Sequence, residues 1–396
     1  VVPDFLLPLF ERCRAAGGRA LLVGGTVRDA LLGNPGKDLD IEVHRLTLAE
    51  LVPLLRPLGH INEVGRAFGV LKLRASGVEL DVSLPRRDSK EGVGHKGIRA
   101  DSDPFIGISG AARRRDLTIN AIAWDPLDRT YEDPFDGRGD LERRLLRCVD
   151  PHTFGEDPLR ALRVAQFAAR FGFEVDPALE ALCATMPLDE LPAERIRGEI
   201  EKLLTKGKAI AHGWAFAART GLWARVVPEW KAVPDALERV ATVPVPDEGR
   251  RLALLYAAAN TGGSLEMATS VLDRLRVFRI GGFPVRRVVL SLLARRPVAL
   301  QGLNDTIVRR LSEDADLDLL AALVDRPELE ERARALGVWS RPLPVLLSGA
   351  ELVGLGVPAG PKMGDLLSRL REAQLEGQLS SPADARAWVQ SVGLTD

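Results

Sequence analysis

Three short runs near the start of the chain carry side chains suited to phosphate chemistry. The first is Gly24-Gly25-Thr26-Val27-Arg28-Asp29. Glycines at a turn let backbone N–H groups approach a phosphate closely, a following helix N-terminus adds a favourable dipole, and Arg28 adds a cation. A glycine pair between a strand and a helix is more often a plain turn, so the run gains meaning only beside the other two. The second is Lys37-Asp38-Leu39-Asp40-Ile41. Strand side chains alternate, so Asp38 and Asp40 share one face while Leu39 and Ile41 take the other. Two carboxylates that close repel unless a cation lies between them. Mg²⁺ takes hard oxygen ligands, often one or two carboxylates together with substrate phosphates. Two such ions would activate an attacking hydroxyl and neutralise a leaving pyrophosphate. Asp81, in Val78-Glu79-Leu80-Asp81-Val82, is a third candidate ligand. The bland alternative is a pair of solvent-facing acids at a strand end. The third run is Arg113-Arg114-Arg115-Asp116-Leu117-Thr118-Ile119-Asn120-Ala121. The guanidinium fork matches phosphate oxygens, so Arg114 and Arg115 suit a triphosphate. Asp116 and Asn120 complete the candidate set, Asn120 as a partner for a ribose hydroxyl. The bland alternative here is a helix with a charged start.

These runs need a scaffold of short strands and helices. Arg19–Val23 has the pattern of a buried strand, and a helix is expected from Thr26 to Leu32. Leu39–Val43, Val70–Leu73 and Val78–Leu84 are expected as further strands. From about Asp140 the texture changes to amphipathic helices: Asp157–Phe171, Pro177–Met186, Ala193–Leu204 and Ile210–Thr220. Ala232–Gly249 is rich in proline and acid and is expected as a linker or long loop. Helical patterns resume at Arg250–Asn260, and Leu347–Gln390 alternates short helices with Gly and Pro turns.

The chain has 396 residues, enough for two to four domains, with 46% hydrophobic and 28% charged residues, the mix of a soluble globular protein. Its apolar runs are too short to span a bilayer. No secretory signal is visible at the start, which is Val1, so the true N-terminus is left open. Cys13, Cys148 and Cys183 never form a C-x-x-C pair, which fits reduced thiols and argues against a structural zinc site. The five His residues are dispersed and suggest no metal cluster. Net charge is −1, but residues 86–115 hold eight basic and four acidic residues, a local excess of the kind a phosphate footprint shows. A solvated basic loop would show it too.

Three further motifs lie downstream in order: Asp133-Pro134-Phe135-Asp136-Gly137 to Asp140-Leu141, Glu156-Asp157-Pro158-Leu159-Arg160, and Glu194-Arg195-Ile196. The ordered set resembles class II tRNA nucleotidyltransferases (CCA-adding enzymes) and bacterial poly(A) polymerases, almost continuously over residues 20–205. Ser348-Gly349-Ala350-Glu351-Leu352 and Gly360-Pro361-Lys362-Met363-Gly364 are similar to tail segments of the same family. The resemblance implies an α+β chain: a small nucleotidyltransferase α/β head (1–138) followed by all-α neck (139–220), body (221–335) and tail (336–396) domains. It implies catalysis at Asp38 and Asp40 with two Mg²⁺, CTP and ATP as substrates, and tRNA as partner. Gly24, Gly25, Arg28, Arg114 and Arg115 would hold phosphates. Asp157 and Arg160 would read the base edge, with Arg163 assisting one turn on, while Glu156, Glu194 and Arg195 belong to the neck motifs. From spacing alone, Asp157 and Arg160 read equally as an ion pair within one helix. The helical remainder would grip the acceptor arm through phosphate and shape, and that binding should weaken as salt rises.

Within the family three activities compete: full CCA addition, addition of the terminal A alone, and poly(A) synthesis. CC-adding members lack a flexible loop after the third head strand. The glycine- and charge-rich segment Pro85–Ser109, with Arg86, Arg87, Lys90, His95 and Lys96, is expected to be that mobile loop, which disfavours CC-only addition. Residues 341–396 carry five basic and six acidic residues, unlike a basic poly(A) polymerase extension. No His-Asp dipeptide occurs, so phosphohydrolase activity is not expected. A catalytically silent RNA-binding relative is the alternative from another class, against which the two aspartates stand. Cytoplasmic location is expected, and the oligomeric state is open.

Overall fold

The structure is a computed structural model that describes residues 3–36, 39–62, 69–90, 98–230 and 232–392, with the description of 87–90 and 98–101 covering the backbone. Asp38, His95 and Lys96 therefore lie outside the described residues, as do the side chains of Arg87 and Lys90. The chain forms two compact units, Val1–Lys231 and Ala232–Asp396. Among the described residues, no helix is long and apolar enough to cross a membrane.

The first unit is built on a mixed sheet. In chain order its strands are β1 (Arg19–Val23), β2 (Leu39–His44), β3 (His60–Asn62), β4 (Val70–Ala75), β5 (Val78–Ser83), β8 (Ala123–Asp125) and β9 (Thr130–Glu132), arranged β3-β4-β5-β2-β1-β8-β9. Between them, β6 (Arg86–Lys90) and β7 (Ile98–Ser102) form a separate antiparallel ribbon. Within the segment 85–109, expected as a mobile loop, residues on both arms pair in register from Arg86↔Ser102 to Lys90↔Ile98, and the glycine-bearing residues between the arms lie outside the described residues. The sheet is antiparallel except where β2 lies parallel to β5, which sets Asp40 directly beside Asp81. β1 and β2 occupy its middle, and their Leu, Ile and Val residues fill the core: Leu21, Ile41 and Val43 are fully buried.

Helices of this unit are α1 (Leu7–Ala15), α2 (Gly25–Leu31), α3 (Leu48–Leu55), α4 (Gly107–Arg113), α5 (Gly137–Arg143), α6 (Pro151–Phe154), α7 (Leu159–Phe171), α8 (Pro177–Thr185), α9 (Ala193–Lys206), α10 (Ile210–Arg219) and α11 (Leu222–Val226). Local sequence fixes several ends. Thr47 and Glu50 form a reciprocal capping box at the start of α3. Asp150 caps α6 through His152 and Thr153 N–H groups. Gly172 closes α7 in the left-handed conformation. α7 packs against α9 and α10, and its buried Ala161, Val164, Ala165 and Ala168 let these helices approach closely.

One element expectation is corrected here, and one bland alternative is set aside. Helix α7 begins at Leu159, so Asp157 precedes it rather than sitting on it, as Pro158 at the N-cap dictates. The Arg113–Ala121 run is not a helix with a charged start: Arg113 ends α4, and Thr118–Asn120 forms a separate 3-10 turn.

The second unit is helical. Its helices include Asp235–Ala241, Glu248–Ala259, Val285–Leu300, Asp305–Asp314, Leu317–Val324, Pro361–Leu375 and Pro382–Val392. The first of these corrects the expectation of a loop over Ala232–Gly249: Ala236, Leu237 and Val240 are buried on one helical face, spaced as a helix requires. Near the chain end Leu347, Leu352, Leu370, Ala385 and Val389 form a core cluster of their own.

Candidate active site

The Gly24-Gly25 turn joins β1 to α2. Gly24 has φ +67°, a left-handed conformation that glycine adopts without strain. Space also demands glycine there. A Cβ on Gly24 would lie 2.8 Å from Arg115 Nη1 and 3.7 Å from Asp40 Oδ2. The guanidinium of Arg115 and the carboxylate of Asp40 thus converge on the same bare stretch of backbone. The Asp40 backbone N–H donates to Thr26 Oγ1 at 3.0 Å, tying the start of β2 to the first turn of α2.

Asp40 faces two cavities. The larger, about 410 Å³, runs from Gly24, Gly25 and Arg115 past Asp116 to Asp157, Arg160, Arg163, Phe167 and Arg195. The smaller, about 180 Å³, is lined by Asp40, Arg114 and Arg115 together with Asp81, Ser83 and Arg86. Asp40 and Arg115 belong to both. Asp81, the third candidate ligand, sits in register beside Asp40 but is engaged by Lys72 Nζ at 3.1 Å. Among the described residues no group of three His, Cys, Asp or Glu side chains is arranged to hold a metal ion. The donor chemistry on the β2–β5 face is still that of a hard cation, since Mg²⁺ needs only one or two carboxylates when substrate phosphates complete its shell.

Arg28 lines the larger cavity beside Gly24 and Gly25 and is also held from within the protein. It is 4% exposed and lies over the rings of Phe167 and Phe171 at 5.2 and 5.0 Å. Nε donates to Asp29 at 2.8 Å and Nη1 donates to Asn120 Oδ1 at 2.5 Å. Burial lowers its pKa from the ordinary value, opposed by the charge of Asp29. Asn120 in turn donates through Nδ2 to Asp116 Oδ1 at 2.8 Å, so both ends of its amide are bonded within the protein. Asp116 also accepts from Arg163 Nε at 2.7 Å through Oδ2. Burial alone would raise the Asp116 pKa, but the charge of Arg163 and the bonds from Asn120 and Arg163 outweigh it and hold it below the usual carboxylate value. Arg170 donates to Asp29 at 3.0 Å. The chain Arg170–Asp29–Arg28–Asn120–Asp116–Arg163 therefore staples α2 and the 3-10 turn to α7. Arg28 and Asn120 themselves line the larger cavity.

The E-D-x-x-R side chains are not paired with each other. Asp157 Oδ2 accepts from Arg195 Nη2 at 2.8 Å. Arg160 donates through Nη1 to the Thr153 carbonyl and through Nη2 to the Arg114 carbonyl, each at 2.7 Å. The intrahelical ion pair suggested by spacing is absent because Asp157 lies off the helix. Asp157, Arg160, Arg163 and Arg195 instead form one polar wall of the larger cavity. Glu156 is half-buried beside it, and Glu194 is exposed at the start of α9.

Two residues were missed from sequence. Phe167 lines the larger cavity, and Arg163 Cζ stands 5.5 Å from its ring. Its spacing from Arg160 and Arg163, seven and four residues on, already placed it on their helical face. Glu42 is a buried carboxylate two residues beyond Asp40, and continuing the two-residue alternation past Asp40 would have found it.

A family model described as the poly A polymerase head domain matches residues 20–147. The CCA-adding enzyme of Limosilactobacillus fermentum is 30% identical, over 94% of this chain and 93% of its own length. The Multifunctional CCA protein of Nitrosococcus oceani is 41% identical over 52% of this chain, which spans 50% of that relative. Among solved structures, the Bacillus stearothermophilus CCA-adding enzyme in complex with CTP superposes with a TM-score of 0.74 at 23% identity, covering 99% of this chain and 98% of that one. The Thermotoga maritima CCA-adding enzyme complexed with tRNA gives 0.68 at 22% identity, covering 99% and 96%. The structural likeness establishes the fold, and the near full-length sequence match establishes that the chain belongs to the CCA-adding enzyme family.

Proposed function

We propose that this chain is a template-independent tRNA nucleotidyltransferase that adds C, C and A to the tRNA 3′ end from CTP and ATP with release of pyrophosphate. The observation that carries the reading is the position of Asp40, where a triphosphate-sized cavity walled by base-edge donors and acceptors meets a second cavity lined by Arg114 and Arg115. Arg115, beside the Gly24 backbone, holds the triphosphate. Asp157 and Arg160 present an acceptor and a donor on the opposite wall, fixed by Arg195 and by two carbonyls, and so select the base edge much as a pairing base would. Phe167 and the carbon stem of Arg163 exclude water beneath the nucleoside. Asp40, with Asp38 and Asp81 as further candidates, would hold Mg²⁺, which supplies charge neutralisation at the phosphates and a lowered pKa at the attacking hydroxyl.

The proposed division is a head to residue 138, a neck over 139–220 that carries the base readers, a body over 221–335 and a tail over 336–396 that binds the tRNA acceptor arm. We place the enzyme in the cytoplasm.

Full-length protein incubated with Mg²⁺, labelled CTP or ATP, and tRNAs ending either before the first C or after the second C tests the reading. The expected result is C incorporation on the first and A on the second. Incorporation of A alone points to an A-adding enzyme, long A tracts to a poly(A) polymerase, and no incorporation of either to a silent RNA-binding relative.

A further inference from the structure

The strand that presents Asp40 also carries Glu42, two residues on and therefore on the same side. Glu42 lies in the middle of the sheet and is 4% exposed. Its Oε1 is 3.1 Å from His44 Nε2, which donates when that nitrogen bears the proton. Among the described residues its Oε2 accepts no hydrogen bond, and it faces Arg115 Nη2 at 3.7 Å and Arg114 Nη2 at 3.8 Å. A carboxylate withdrawn from water is costly unless opposite charge compensates it, and a β-branched residue would fill this strand position without that cost. The compensation here comes from two adjacent arginines that would otherwise repel each other.

The distances decide how Glu42 acts. At 3.7 and 3.8 Å these are ion contacts rather than hydrogen bonds. Glu42 therefore fixes both guanidiniums by charge without taking up their N–H donors. Arg115 is the residue whose Nη1 lies against Gly24, and both arginines line the cavity that opens on the far side of Asp40. Burial would raise the Glu42 pKa, but His44 and the charges of Arg115 and Arg114 lower it below the usual value.

Resting on the function proposed above, we infer that Glu42 is a positioning residue that holds Arg114 and Arg115 side by side so that both engage the triphosphate of the incoming nucleotide. Glu42 touches neither nucleotide nor metal in this role; it acts through the arginines. The isosteric change Glu42→Gln removes the charge and keeps the volume. It should lower kcat/KM for CTP roughly tenfold, mostly through KM, while tRNA affinity stays put.

A double-mutant cycle separates positioning from plain structural support. In full-length protein, Glu42→Gln is measured alone and in an Arg114→Ala, Arg115→Ala background, by steady-state kinetics and by equilibrium dialysis of CTP. The expected result is a loss of roughly tenfold in the parent and less than about twofold once the arginines are gone. An equal loss in both backgrounds, or an unchanged CTP affinity in the parent background, overturns the inference. Should Glu42→Gln fail to fold, Glu42→Asp, which withdraws the carboxylate from the arginines, carries the same cycle. An inactive parent would sink the proposed reaction instead, and the dialysis arm would still decide the role of Glu42.

Discussion

The guanidinium of Arg160 donates to the backbone carbonyl of Arg114 at 2.7 Å. One side chain on α7 thereby lines the larger cavity and also grips the segment that carries Arg114 and Arg115. Its second terminal nitrogen holds the Thr153 carbonyl at the same distance, so the fork spans two separate chain segments. On the proposed reading, nucleotide choice and phosphate placement are joined at this residue.

Arg160→Ala should therefore lose discrimination among CTP, ATP, GTP and UTP and also lower kcat/KM for the correct nucleotide, by roughly 10- to 100-fold for two charge-assisted bonds. Arg160→Lys should not restore either property, because an ammonium cannot reproduce a planar fork to two carbonyls. Single-nucleotide incorporation with each triphosphate is the measurement. Parent-like selectivity in either variant contradicts the base-reader role.

Gly24→Ala places a methyl group against Arg115 and Asp40 in a left-handed backbone. The conformational strain alone is roughly 1–2 kcal/mol for a non-glycine residue, and the larger effect is displacement of Arg115. Incorporation should fall at least about tenfold, since a small misplacement of a positioned group is costly in rate. tRNA affinity, measured by filter binding, should be unchanged.

Much of this arrangement was legible in sequence. The Gly-Gly turn, Asp40 and the Arg114-Arg115 pair were found from spacing, and β1 was placed with its observed bounds. What sequence could not show arises from contacts between distant segments. The parallel pairing of β2 with β5, which sets Asp81 beside Asp40, joins residues more than forty positions apart. Arg28 was singled out as a cation after a Gly-Gly turn, but its bonds to Asp29 and Asn120 and its place over two phenylalanines of α7 join segments that sequence keeps apart. Asp157 was placed on a helix by its neighbours' periodicity, and Pro158 moved it off. The β6–β7 pairing was hard to see because Arg86–Lys90 and Ile98–Ser102 carry little of the β-branched and aromatic alternation that marks a strand.

Asp116→Asn tests the staple between the head strands and α7. Because Arg163 is partly exposed and Asn keeps the volume, the loss should be roughly 1–3 kcal/mol, so the unfolding midpoint of the full chain should drop by a few degrees. The pH dependence has a definite sign. Because the folded-state pKa of Asp116 is depressed, its contribution is complete above the unfolded carboxylate value of about 3.9 and is lost as pH falls through the lower folded value. The parent should therefore lose more stability than Asp116→Asn on acidification below about pH 4. Thermal melts of both proteins across that range decide it; parallel acid profiles would show that Asp116 is not the anion holding Arg163.

Everything chemical converges on the Asp40 carboxylate at the meeting of the two cavities. The most direct measurement is incorporation of labelled CTP into tRNA lacking its terminal CCA by Asp40→Ala, with tRNA binding and thermal stability measured in parallel. Abolished incorporation with tRNA binding and folding retained is the predicted result. Parent-like incorporation by that variant would mean the nucleotidyl transfer is carried out elsewhere.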